Sequence, residues 1–91
     1  MNTTVSKRIK FQSEFKTKHN NITILLFRDM DFYFVYNEDA DLVSEALGIN
    51  KAHADNNEFT YTAFSARRFD QYLPVLIRKG YRVAICDGDI D

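Results

Sequence analysis

The sharpest hydrophobic pattern in the chain is "DFYFVY", residues 31–36. Strand side chains alternate between faces. A strand here therefore sets Phe32, Phe34 and Tyr36 on one side and Tyr33 and Val35 on the other. Upstream, "ITILLF" (22–27) is apolar on both faces and rich in β-branched residues, as an inner strand requires. "RDMD" joins the two runs in a tight turn without glycine, and Asp29 is the residue expected to take a left-handed conformation there. Before these strands, residues 1–8 read as frayed and 9–18 as a short amphipathic helix. Phe11 and Phe15, four apart, share one face of that helix. Asn20-Asn21 supply the turn into the first strand.

Downstream, Asn37 is expected to cap a helix. Glu38, Asp39 and Asp41 fill its first turns, where the helix dipole favours anions. Ala40, Val43, Ala46 and Leu47 form its stripe, and Gly48 sits where a left-handed C-terminal residue belongs. Residues 49–64 read as a hairpin that turns at Asp55-Asn56-Asn57, with a weak first arm and an alternating second arm, Phe59 to Phe64. Ser65 caps a further helix whose apolar positions Phe69, Tyr72, Leu73, Leu76 and Ile77 follow i, i+3, i+4, i+7, i+8. Pro74 removes a hydrogen bond to Asp70, so that helix either kinks or becomes regular only near residue 70. Gly80 ends it, "YRVAIC" (81–86) is a last strand, and "DGDID" trails off as a solvated acidic tail.

Composition narrows the class. Ninety-one residues make one small domain, or a piece of a longer chain, with 45% hydrophobic and 27% charged residues, ordinary for a soluble globular fold. No apolar run approaches a membrane span, and Ile24 to Phe27 is only strand length. The N-terminus lacks the apolar stretch of a secretory signal. The single cysteine, Cys86, excludes an internal disulfide and fits a reducing compartment, so a cytoplasmic location is expected. Charge is unevenly placed although the net value is −1. Residues 1–28 hold six basic side chains against one acidic, whereas 29–91 hold six basic against twelve acidic. The first segment reads as a solvated helix or as a basic arm suited to phosphates.

Several chemistries lack their residues. Gly48, Gly80 and Gly88 lie far apart, so no phosphate-cradling loop exists and the chain is not an ATPase by itself. His19 and His53 have no ligand-spaced partner for zinc. Cys86 ends an apolar strand and reads as a small buried hydrophobe. "DGDID" lacks the closing Glu of a calcium loop. The chain is expected to be no enzyme and to hold no metal and no cofactor. Phe32 stands out because it begins a strand at a turn. A ring projecting there could wedge between bases: stacking on a base contributes roughly 1–3 kcal/mol, and opening a step costs less where a base is mismatched or unpaired.

Two stretches together carry a family resemblance. "ITILLFRDMDFYFVYNEDADLVSEALGI" resembles the N-terminal mismatch-recognition domain of the MutS DNA mismatch-repair family, which reads I-L-L-F-R-M-G-D-F-Y-E-x-F-x-x-D-A before a helix ending near L-G-I. "FDQYLPVLIRKGYRVAICDGDID" resembles the family's Y-L-x-x-L-V-x-x-G-Y-x-V-A-I-C-E-Q, and 11–21 resembles the short helix before its first strand. The elements and the resemblance imply an α+β fold, a small mixed β-sheet flanked by about three helices as in MutS domain I, in a single domain over 1–91. In the family the Phe of the F-x-E motif stacks on the mispaired base and the Glu hydrogen-bonds to it. Phe32 matches that Phe, but the Glu position is Phe34 and the preceding Gly position is Met30. The family's M-A-G-x-P-Y-H-A is "TYTAFSARR" here, which brings Arg67 and Arg68 to that region.

The resemblance implies a DNA-binding module for mismatched, distorted or single-stranded DNA. Phe32 inserts, Phe34 extends the stacking surface, and Lys16, Lys18, Arg28, Arg67 and Arg68 hold the backbone. Base discrimination is altered because an acceptor has become apolar. Clamp and ATPase functions would come from further domains or subunits. The alternative is a protein-interaction module that docks through a Phe32/Phe34/Tyr36 patch.

Overall fold

The computed structural model describes residues 3–19 and 22–88. Its elements, in order, are α1 (Thr3–Lys18), β1 (Thr23–Asp29), β2 (Phe32–Tyr36), α2 (Asn37–Leu47), β3 (Ala52–His53), β4 (Thr60–Ser65), α3 (Phe69–Arg78) and β5 (Arg82–Asp87). The five strands form one mixed sheet in the order β3-β4-β2-β1-β5. β1 pairs antiparallel with β2 and parallel with β5, while β4 runs antiparallel to both β2 and β3. The α+β architecture expected from the sequence is the one observed. The expected Asn20-Asn21 turn and the end of the acidic tail lie outside the described residues.

β1 is an inner strand, and its composition explains why. Ile24, Leu25, Leu26 and Phe27 are each buried to 1% exposure or less. Each such side chain contributes about 1.5–3 kcal/mol relative to exposure. Ile24 and Leu26 join Tyr33, Val35, Val43, Phe64 and Leu76 beneath α2 and α3. Leu25 and Phe27 join Tyr36 on the opposite face, with Val5, Ile9, Phe11 and Phe15 of α1 packed over them. The alternation within β2 is therefore real: Tyr33 and Val35 face one layer, Phe34 and Tyr36 the other.

Four local expectations need correction. α1 begins at Thr3, so residues 3–8 are helical rather than frayed. Val5 and Ile9 extend its apolar contact, and Arg8 bonds across to Asp29 and Tyr36. The left-handed residue of the β1–β2 turn is Met30 (φ 52°), not Asp29. Tyr36, with extended backbone, occupies the position before α2 that Asn37 was expected to fill. Asn37 is instead the first residue of the helix, at φ 52°, and its Oδ1 accepts the Thr60 N–H at 3.2 Å. Its amide latches the start of β4 rather than capping a helix. Finally, Ile77 of the α3 stripe stays 51% exposed, because Leu76 takes the core position.

The rest follows the pattern. Gly48 ends α2 at φ 69°, its N–H on the Ser44 carbonyl. The hairpin turn at 55–57 places Asn56 and Asn57 in the left-handed region that asparagine tolerates. Ser65 Oγ accepts the Arg67 N–H at 3.2 Å and starts a short 3-10 turn, Ala66–Arg68, that leads into α3. α3 then runs as one helix from Phe69 with Pro74 inside it. Among the described residues, no helix is long and apolar enough to cross a membrane.

Candidate nucleic-acid interface

The site begins with how Phe32 is held. Its backbone pairs with Asp29 on one side and Ser65 on the other, so the first residue of β2 is fixed between two strands. The Ala66 N–H donates to the Asp31 carbonyl at 2.7 Å and ties the turn to the end of β4. Arg28 Nε donates to the Met30 carbonyl at 2.6 Å, and its Nη1 donates to the Tyr33 hydroxyl at 3.3 Å. The same guanidinium lies 5.2 Å from the Tyr33 ring centroid. With its root so constrained, the Phe32 ring remains 49% exposed, beside Met30 at 83%. A rigid backbone carrying an exposed ring is what a wedge requires, since a mobile ring would lose entropy on insertion.

Around the ring, Arg28, Asp31, Phe32, Ser65, Ala66 and Arg67 line one open depression. Arg28 stands close to Phe32 in sequence already, whereas Arg67 is brought to it by the pairing of β2 with β4. Arg68, on the same short turn, is exposed and donates to Gln71 Oε1 at 2.9 Å. Lys16 and Lys18 are not brought to this site. α1 runs antiparallel to β1: Arg8 meets Asp29 at the end of the strand and Lys16 meets Thr23 at its start. Seven strand residues separate those ends by about 20 Å. Lys16 is also committed inside the fold, paired with Asp39 at 2.7 Å.

The aromatic face divides differently from the sequence expectation. Tyr36 is 2% exposed and forms no part of a surface patch. Burial pushes its phenol above the ordinary value, with the Arg8 hydrogen bond acting in the other direction. Phe34 is half-buried, its ring centroid 6.4 Å from that of Phe32 and 5.7 Å from the Arg8 guanidinium. The proposed Phe32/Phe34/Tyr36 docking patch therefore reduces to Phe32 with its neighbour Met30.

Arg8 is the residue that sequence reasoning missed. Its Nη2 donates to Asp29 at 2.9 Å and its Nη1 to the Tyr36 hydroxyl at 3.0 Å. Gln12 reaches the Tyr36 carbonyl at 3.1 Å, and Lys16 follows one turn later. Arg8, Gln12 and Lys16 form an i, i+4, i+8 row, a polar stripe turned inward beside the apolar one. That spacing was present in the sequence, but polar side chains on an amphipathic helix are read by default as facing water. Among the described residues, no group of three His, Cys, Asp or Glu side chains is placed to hold a metal ion.

The fold and site together define a small α+β module that presents one aromatic ring on a braced turn, flanked by two arginines. The chain belongs to the MutS domain I family, whose match extends over residues 7–91. It is similar to the DNA mismatch repair protein MutS of Phocaeicola vulgatus, 46% identical over 77 residues that make up 81% of this chain and 9% of that protein. The MutS of Parabacteroides distasonis is 44% identical over the same shares. That of Flavobacterium johnsoniae is 38% identical over 87% of this chain and 9% of its own length. The chain thus spans about a tenth of the length of these relatives.

Proposed function

We propose that the chain is a non-catalytic DNA-binding module that detects mismatched, distorted or unpaired DNA by inserting Phe32 into a loosened base step. The observation that carries this reading is the half-exposed Phe32 ring on a backbone fixed by β1 and β4. Arg28 and Arg67, lining the same depression, supply phosphate contacts beside the ring. The relatives are DNA mismatch repair proteins, which supports the same class of target. Phe34 stands where the family resemblance expects a hydrogen-bonding Glu, so selection among bases differs from that of a Phe–Glu pair. Clamp and ATPase steps would come from other segments or subunits.

Fluorescence anisotropy with matched duplex, mismatched duplex and single strand tests the reading. The chain should prefer mismatched over matched duplex, and Phe32→Ala should weaken mismatch binding about 5- to 150-fold, as loss of one stacked ring implies. Unchanged affinities for all three DNAs in Phe32→Ala would refute the wedge. The exposed pair Met30 and Phe32 also supports a second reading, a protein-docking tip. Salt separates the two: phosphate binding weakens steeply with salt, whereas an apolar contact does not.

A further inference from the structure

A cavity of about 520 Å³ opens beside the N-terminal half of α1, on the sheet face that carries Phe34. Phe34, Phe59 and Tyr61 line it, with the buried Tyr36 behind them, together with Arg8 and Asp29. Its volume lies in the range of small-ligand sites, about 300–1,000 Å³. The rings favour a flat guest: Phe59 already packs 6.0 Å, centroid to centroid, from both Tyr36 and Tyr61, and a planar base continues that packing. The polar wall favours a guest with acceptors. A guanidinium has five N–H donors. Arg8 uses one on Tyr36 and one on Asp29, and 12% of its side-chain surface remains exposed. Those two bonds and the Phe34 ring also hold the guanidinium in place before any ligand arrives, which lowers the entropy lost on binding.

Position ties the cavity to the wedge. Phe34 lines it and lies two residues along β2 from Phe32, with ring centroids 6.4 Å apart. A nucleotide displaced by Phe32 would therefore stand at the cavity's edge. At the position where the family resemblance expects a carboxylate acceptor, this chain offers a ring with an arginine above it. Guanine presents two neighbouring acceptors, N7 and O6, that match an arginine bidentately.

We propose that this cavity is a base-binding site for an unpaired guanine, stacked among the aromatic walls with N7 and O6 facing Arg8. The inference deepens the DNA-binding reading and rests on it. The test uses the 91-residue chain and labelled duplexes carrying one extrahelical G, A, C or T, with a further duplex carrying 7-deazaguanine, which lacks N7. Extrahelical G should bind at least about fivefold more tightly than the other three, the lower end of what one bidentate pair supplies. The 7-deaza substitution should remove that advantage. Arg8→Gln should bind all four bulges alike and ignore the 7-deaza change, yet still prefer bulged to matched duplex. Should Arg8→Gln fail to fold, the 7-deaza comparison on the unaltered chain still decides. A guanine preference that is absent, that survives 7-deaza substitution or that survives in folded Arg8→Gln overturns the inference. If Phe32→Ala nonetheless abolishes the preference for bulged duplex, the wedge stands alone. No preference for any bulged duplex over matched duplex overturns both.

Discussion

Lys16 Nζ lies 2.7 Å from Asp39 Oδ1, in an ion pair whose carboxylate is fully enclosed. Lys16 also donates to the Thr23 carbonyl, and Asp39 Oδ2 accepts the Leu25 N–H at 3.0 Å. One pair thus fastens α1, β1 and α2 together. Burial raises the Asp39 pKa above its ordinary 3.8, while the Lys16 and Leu25 donors act against that rise. Lys16→Met leaves a buried carboxylate without its cation and should cost about 3–5 kcal/mol in urea unfolding. The pH sign follows from linkage. The native carboxyl holds its proton more tightly than the unfolded one, so its contribution to stability falls as pH rises from 3.8 through the raised native value. Without the lysine that fall should be steeper. An unfolding midpoint equal to that of the unaltered chain above this window, where the native carboxyl is ionised, would show that the pair does not support the fold.

Met30 adopts φ 52° with a side chain that disfavours it, in the turn that aims Phe32. Left-handed backbone costs a non-glycine residue about 1–2 kcal/mol. Glycine relieves that cost but loses about 0.5–1 kcal/mol through its freer unfolded chain. Met30→Gly should therefore stabilise the domain by about 0.5–1 kcal/mol, a rise of about 2–8 °C in Tm. A lower Tm would mean that the exposed methionine side chain contributes packing outweighing the strain.

Arg67 and Lys18 are both exposed, but only Arg67 lies beside Phe32. On the DNA-binding reading, Arg67→Gln should reduce the slope of log affinity against log salt by about 0.9, the contribution of one phosphate contact. Lys18→Gln, at the far end of the sheet, should leave it unchanged. Equal effects of the two would place the DNA across the whole α1 face instead.

Burial pushes the Cys86 thiol above its ordinary pKa of 9.0. The thiolate is the nucleophile, so alkylation by iodoacetamide at pH 8 should be markedly slower in the folded chain than in urea. The same shift means that above pH 9.0 the unfolded thiol ionises first, and this residue's contribution to stability falls as pH rises. Equal alkylation rates in the folded and unfolded chain would show that the thiol is accessible.

Local periodicity carried much of the fold and part of the site. The alternation of residues 32–36 placed Phe32 and Phe34 on one face, and Gly48 and Ser65 marked element ends where they occur. Each of these depends on neighbours within a few positions. Arg28 and Arg67 were legible as cations near the motif, though not the bonds by which Arg28 braces the turn. The start of α1 was not legible, because "TTVSKR" offers only Val5 as an apolar anchor and its helix is secured by distant partners.

The sequence by itself determined the α+β pattern, the inner strand Ile24–Phe27 and a ring at the first position of β2. Only the tertiary structure decided which aromatics and which cations remain available. Tyr36 and Phe34 share a strand face, yet α1 covers the first completely and the second in part. Lys16 and Lys18 are two residues apart, yet one is enclosed by Asp39 and the other exposed. The physical reason is that side-chain direction repeats with the local backbone, whereas burial and charge pairing depend on residues brought close by chain segments more than a dozen positions away.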